Sequence, residues 1–333
     1  MTDHRAELLA DAYGFMVTQS IGTVARAGIA DLVAEGRETI GELAAETGLT
    51  EDSLRRILRA LAALEIFELD GDVVRNTPKS ELLRADVPGS VCWIAQSFAN
   101  EHFLVWTRAE HSFRTGEAAT PEVLGSGYFE WLGDHLAEAA IFNRAMAAGS
   151  AIRIDALVQL DWSEELVVDV GGGTGGLLSA LLARHPQLRG IVFDLPHAEE
   201  VAVSTLEAAG VADRCAFVSG NFFEAVPAGG DVYVLSHILH DWDDEPSLRI
   251  LRACRAAAGD GARLLILDVV LPPGGTGAVV PKLLDLHMLV LLAGRERTHQ
   301  EWSRLLAQAG FSLDRIHAEG PFTVIEAAPL VAP

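Results

Sequence analysis

The 333-residue chain is short of cysteine, of basic residues and of long apolar runs. Its three cysteines, Cys92, Cys215 and Cys254, stand far apart and form no Cys-x-x-Cys pair. That spacing excludes a zinc ribbon and a disulfide framework, and predicts buried thiols in a reducing compartment. Lys and Arg number 25 against 47 Asp and Glu, a net charge of −22. So acidic a surface repels phosphate backbones and anionic membranes, and neither nucleic acid nor a membrane is an expected partner. No apolar run approaches the roughly 18 residues of a membrane helix. The most apolar stretch, Leu283 to Leu292, already contains Asp285 and His287. The opening run, Met1-Thr-Asp-His-Arg-Ala-Glu, lacks the basic-then-apolar layout of a signal peptide. The expected location is cytoplasmic.

Half of the residues are hydrophobic and 22% are charged, enough for a sizeable core. At roughly 150 residues per domain the length predicts two domains. Residues 1–90 read as mainly helical. Leu54, Ile57, Leu58, Leu61 and Leu64 fall at helical spacing and predict one buried stripe, with Thr50 as the N-cap. A shorter helix over Ile40 to Glu46 stops at Gly48, which makes a helix-turn-helix. Ile66 to Leu69 and Val73-Val74, around Asp70-Gly71-Asp72, predict a small hairpin and so a winged-helix pattern. Arg55, Arg56 and Arg59 form a basic strip there. Yet residues 37–75 hold five Arg, no Lys and nine acids, so the strip reads as a solvated face, and a winged helix can equally serve as a dimer-forming surface.

Residues 91–160 carry nine of the aromatics, among them Trp93, Phe98, Tyr128, Phe129, Trp131 and Phe142, expected mostly as core. From about residue 161 buried strands alternate with amphipathic helices: Leu166–Val170, Gly190–Asp194, Ala216–Ser219, Val232–Leu235 and Leu264–Asp268 are the strands. The expected fold class is therefore α/β, a Rossmann-like domain with a largely parallel sheet, joined through a helical linker to the N-terminal domain.

Asp169-Val-Gly-Gly-Gly-Thr-Gly-Gly176 stands where a strand turns into a helix, and Gly171, Gly173 and Gly176 satisfy G-x-G-x-x-G. Nicotinamide, flavin and S-adenosylmethionine folds all use such a loop. Asp194, ending the next strand, is placed to accept from a ribose diol. Asp169 puts a carboxylate where a cationic amino group could bind, which a nicotinamide does not offer. Past the fourth strand runs Ser236-His-Ile-Leu-His-Asp-Trp-Asp-Asp244. His240 would overhang a ligand at the carboxyl edge of the sheet, and an imidazole with pKa near 6.5 suits deprotonation of a hydroxyl. His237 reads as packing.

Together with Phe193-Asp-Leu-Pro196, His240-Asp-Trp242, Leu267-Asp-Val-Val-Leu-Pro272 and Arg295-Glu-Arg-Thr298, the glycine loop resembles the small-molecule O-methyltransferases that depend on S-adenosylmethionine. These include plant phenolic and bacterial antibiotic-pathway enzymes. The resemblance covers nearly the whole chain and implies a homodimer interlocked through the winged-helix start. It implies His240 as general base, with Asp268 and Glu296 as acidic partners orienting the imidazole. Cofactor contacts implied are the loop with Gly171 and Gly173, Asp169, Asp194 on the ribose, Asn221 with Phe222 near the adenine, and Ser236. Phe142, Met146 and Met288 become substrate-pocket positions, the acceptor a small aromatic or polyketide-derived hydroxyl, and no metal is expected. Two departures stand out. Asn221 replaces the usual Asp, keeping an acceptor for the adenine amine, and Ser236 stands where plant members often carry Lys. Some bacterial relatives bind the cofactor for non-methylating chemistry; a winged-helix regulator and a nicotinamide dehydrogenase are further alternatives.

Overall fold

The computed structural model describes residues 3–163, 165–275, 277–317 and 323–330, with the side chains of 150–153 left aside. The chain divides into two compact units, Met1–Thr107 with Val123–Gly149 and Arg108–Glu122 with Ser150–Pro333.

In the first unit, the helix Ile40–Thr47 starts at a Thr39–Glu42 capping box and ends at Gly48, whose φ of 73° lets the chain reverse. The helix Glu51–Ala63 follows, capped by Thr50, and buries Leu54, Leu58 and Leu61 completely. Leu64 does not join the stripe: the helix has ended, and the side chain is 42% exposed. Strands β1 (Phe67–Asp70) and β2 (Val73–Asn76) pair antiparallel around Gly71-Asp72, completing the winged-helix pattern. Arg55 pairs with Asp72, and Arg56 with Asp52 at 2.9 Å, so two of the three basic side chains are met by neighbouring acids.

This unit runs past the boundary expected near residue 90, because the helix Gly14–Arg26 packs on Cys92–Phe98. A Cβ at Gly22 would stand 2.1 Å from Ala99 Cβ, and Gln19 Nε2 donates to Ala99 O at 3.1 Å. Farther along lies a buried polar trio. Tyr128 Oη meets His102 Nε2 at 2.8 Å and donates to Glu101 Oε1 at 3.3 Å. Phe98, Phe129, Trp131 and Phe142 surround these groups in tilted, edge-on or stacked contact.

The second unit is built on a seven-stranded sheet. Its strands are β3 (Leu166–Val170), β4 (Arg189–Asp194), β5 (Cys215–Ser219), β6 (Val232–Ser236) and β7 (Arg263–Asp268). Two short strands, β8 (Val270–Leu271) and β9 (Arg297–Thr298), pair separately in parallel, and β10 (Phe311–His317) and β11 (Thr323–Pro329) complete the large sheet. The order is β10-β11-β7-β6-β3-β4-β5, with β3, β4, β5, β6 and β7 mutually parallel and β11 antiparallel to both its neighbours. The C-terminal antiparallel pair lay outside the sequence reading. Alternate residues face opposite layers: Val168, Val170, Tyr233, Leu235, Leu264 and Ile266 pack with the helices Asp244–Ala257 and His299–Gln308. Val167, Val232, Val234, Leu265 and Leu267 pack with Gly176–Arg184 and Glu199–Ala208. All three cysteines are buried and unbridged. Among the described residues no helix is long and apolar enough to cross a membrane.

Candidate active site

Strand order reverses at β3, between β4 and β6, which opens a crevice beyond the carboxyl ends of these strands. The glycine loop leaves β3 there. Gly171 N–H donates to Phe193 O at 2.8 Å and Gly173 N–H to Asp194 Oδ2 at 2.7 Å. Gly171 has φ +76° and a Cβ on it would stand 2.5 Å from Ile238 Cδ1; one on Gly172 would stand 2.7 Å from Asp169 Oδ2. A side chain at Gly171 or Gly172 would collide here, and the bend leads into the start of the helix Gly176–Arg184, where backbone N–H groups can face a ligand.

Asp194 has a role the sequence did not reveal: with Leu195 N–H on Oδ1 at 2.6 Å as well, it fastens the loop to the end of β4. Asp169 is 2% exposed on the central strand. Asn221 Oδ1 accepts from Phe223 N–H at 3.0 Å, closing an Asx turn. Phe222 stands edge-on to Phe223 and leans over the loop, 3.6 Å from where a Gly171 Cβ would lie. Ser236 Oγ, at the end of β6, is buried with no hydrogen-bond partner among the described residues. The glycine cradle, this unsatisfied hydroxyl and the acid beneath the loop fit a cationic nucleoside cofactor, with Asp169, Gly171, Gly173, Asp194, Asn221, Phe222 and Ser236 at hand.

His240 lies on the single turn Leu239–Asp241 past β6, only 6% exposed. Its Nδ1 donates to Glu296 Oε1 at 2.9 Å, which leaves Nε2 as the nitrogen that can take a proton. Pairing of β8 with β9 brings Glu296 back beside the end of β7, where Asp268 is wholly buried. Of the two acids expected to orient the imidazole, Glu296 alone hydrogen-bonds to it. Asp268 makes no hydrogen bond to the ring, and neither of its oxygens, nor Glu296 Oε2, has a hydrogen-bond partner among the described residues. A third carboxylate, missed by the sequence reading, is Asp241, with Oδ1 3.4 Å from His240 Nε2. Only its place in His-Asp-Trp could have flagged it.

Burial disfavours the charged imidazolium, but Asp241, Asp268 and Glu296 outweigh it and carry His240 up to about 10. Burial and the neighbouring acids push Asp268 up to about 7, against the pull of His240 and Arg297, and burial takes Asp241 to about 6. Burial and the nearby His240 charge lower His287 to about 4. Of the positions expected to line a substrate pocket, Met288 is buried on the helix Val279–Leu292 of the sheet unit. Phe142 and Met146 lie on the helix Leu136–Val158 within the helical unit, where Phe142 is edge-on to Tyr128 at 5.6 Å. Among the described residues no cluster of His, Cys, Asp and Glu is arranged to hold a metal.

Residues 106–312 match the O-methyltransferase domain family, and residues 10–86 the O-methyltransferase dimerisation domain. The chain belongs to the O-methyltransferase family. It is an S-adenosylmethionine-dependent O-methyltransferase with an N-terminal dimerisation domain and a Rossmann-like catalytic domain. It is similar to the phenazine O-methyltransferase of Lysobacter antibioticus, 43% identical over 95% of this chain and 94% of that one. It is 34% identical to the phenazine-1-carboxylate N-methyltransferase of Pseudomonas aeruginosa, covering 87% of each. An O-methyltransferase from neocarzinostatin biosynthesis, solved with S-adenosylmethionine and 2-hydroxy-5-methyl naphthoic acid, superposes with a TM-score of 0.81 at 35% identity, over 94% of this chain and 96% of that chain.

Proposed function

We propose that this enzyme methylates a hydroxyl of a small, flat aromatic or polyketide-derived natural product, with His240 as general base and a homodimer as the working form. The observation that carries the reading is the buried His240, fixed by Glu296 at the carboxyl edge of the sheet, beyond the strand that precedes it. Bound S-adenosylmethionine supplies a methyl group on a cationic sulfur, electrophilic enough for an oxygen nucleophile. A phenol, with pKa near 10, is mostly protonated at neutral pH and needs a base. His240 Nε2 takes that proton, and Glu296, Asp268 and Asp241 stabilise the imidazolium that results. In the free protein the same acids favour the protonated ring; a positive charge bound beside them would oppose this and would lower the proton affinity of His240.

Support for the acceptor class comes from the phenazine and naphthoic acid relatives. The homodimer is supported by the dimerisation-domain match and by the exposure of Leu8, Phe15 and Met16 on the first two helices and of Tyr13 between them. The test is a panel of hydroxylated naphthoates and phenazines, with matched amines, incubated with methyl-labelled S-adenosylmethionine. Label transferred to a hydroxyl of a flat acceptor is the expected product. Label found only on the amines would overturn the assignment to oxygen.

A further inference from the structure

We propose that Arg297 is the positioning residue that sets His240 in place, by gripping the two backbone carbonyls on either side of it. The inference rests on the reading of His240 as base. The Arg297 guanidinium has no exposed surface. Its Nη1 donates to Leu239 O at 2.9 Å and its Nη2 to Trp242 O at 2.9 Å, so one planar fork spans the turn that carries the imidazole. Nε donates to Asp244 Oδ1 at 3.0 Å and Nη2 to Ser247 Oγ at 3.1 Å, which anchors the fork from outside that turn, over the face of Trp302.

The neighbours of Arg297 act on the same residue. Glu296 holds the His240 ring, and Arg295 N–H donates to His240 O at 2.9 Å. A Cβ on Gly294 would lie 2.2 Å from that oxygen, so the approach depends on glycine. The run Gly294–Arg297 thus contacts the ring, the carbonyl and both flanking carbonyls of His240, from more than fifty positions away in the chain. Burying a guanidinium is costly, and its bonds are spent on the turn and its anchors rather than on the sheet. Lysine would keep the charge but cannot present a planar fork to two carbonyls at once.

The experiment compares Arg297→Lys, Arg297→Ala and His240→Gln in methyl transfer to a hydroxylated naphthoate, with S-adenosylhomocysteine affinity measured by calorimetry. Arg297→Lys should lower kcat by about 10- to 100-fold, the scale of a misplaced catalytic group, with KM and affinity within about threefold. Millimolar guanidinium should restore part of the kcat of Arg297→Ala. Wild-type kcat in Arg297→Lys, or a kcat loss matched by an equal loss of affinity, would overturn the proposal. Should Arg297→Ala fail to fold, Ser247→Ala and Asp244→Ala each remove one anchor; both are expected to lower kcat severalfold at unchanged affinity, and unchanged kcat in both overturns the proposal. Full turnover in His240→Gln would instead defeat the base assignment itself, whereas an inactive His240→Gln beside a fully active Arg297→Lys would defeat the clamp alone.

Discussion

His102 in the helical unit and His240 in the sheet unit are built from the same materials: a histidine 3% or 6% exposed, with a carboxylate and another ring beside it. What differs is how far each cluster satisfies itself. Glu101, His102 and Tyr128 answer one another, and none of their buried polar atoms lacks a partner among the described residues. Around His240 stand three acids for one imidazole, and both oxygens of Asp268 and one of Glu296 have no hydrogen-bond partner among the described residues. A closed network of buried polar groups stiffens a fold; an open one carries a desolvation cost that a bound ligand can relieve. The open cluster also lies past the carboxyl ends of the parallel strands, where open α/β sheets bind ligands.

Two substitutions sharpen the contrast or break it. The larger effect belongs to the open cluster: His240→Gln should lower kcat by about 10²- to 10⁴-fold, the usual worth of a general base, while S-adenosylhomocysteine affinity in calorimetry stays within about threefold. Tyr128→Phe keeps the ring that meets Phe142 but strips the hydroxyl from the closed cluster. It should destabilise the protein by about 1–3 kcal/mol, the cost of leaving buried partners unsatisfied, and lower the melting temperature by several degrees. Its kcat should change by less than about threefold, since the base is elsewhere. Lost turnover at unchanged melting temperature would break the comparison and place the trio at the acceptor.

The central strands were legible because each is an apolar run with a turn at its end, and the glycine loop marked where ligand meets backbone. β10 and β11 were not, since Asp314, Arg315 and Glu326 interrupt their apolar pattern and antiparallel pairing at the sheet edge leaves little local signal. The extent of the helical unit was hidden for another reason. It depends on Gly22 and Gln19 meeting Ala99, a contact some eighty residues apart. At the site, His240 and Glu296 could be named through the family resemblance. The grip of Arg297 could not, because nothing in Arg-Glu-Arg-Thr says that the second arginine turns inward onto Leu239 and Trp242. Asp194 and Asn221 were read for their ligand chemistry, and their backbone bonds emerge only once the loops are folded.

The most direct test follows the proton on His240 by nitrogen NMR of histidine-labelled enzyme, alone, with S-adenosylhomocysteine and with S-adenosylmethionine. In the free protein the ring should titrate near 10, held up by Asp241, Asp268 and Glu296. Because that lies above the ordinary 6.5, protonated His240 stabilises the ligand-free fold fully below 6.5, and the contribution is lost as the pH rises through about 10. The cationic cofactor should move the titration downward, and more than its uncharged-sulfur product does. A ring that titrates near 6.5 in the free protein, or identically in all three states, would contradict a carboxylate cluster that the cofactor completes.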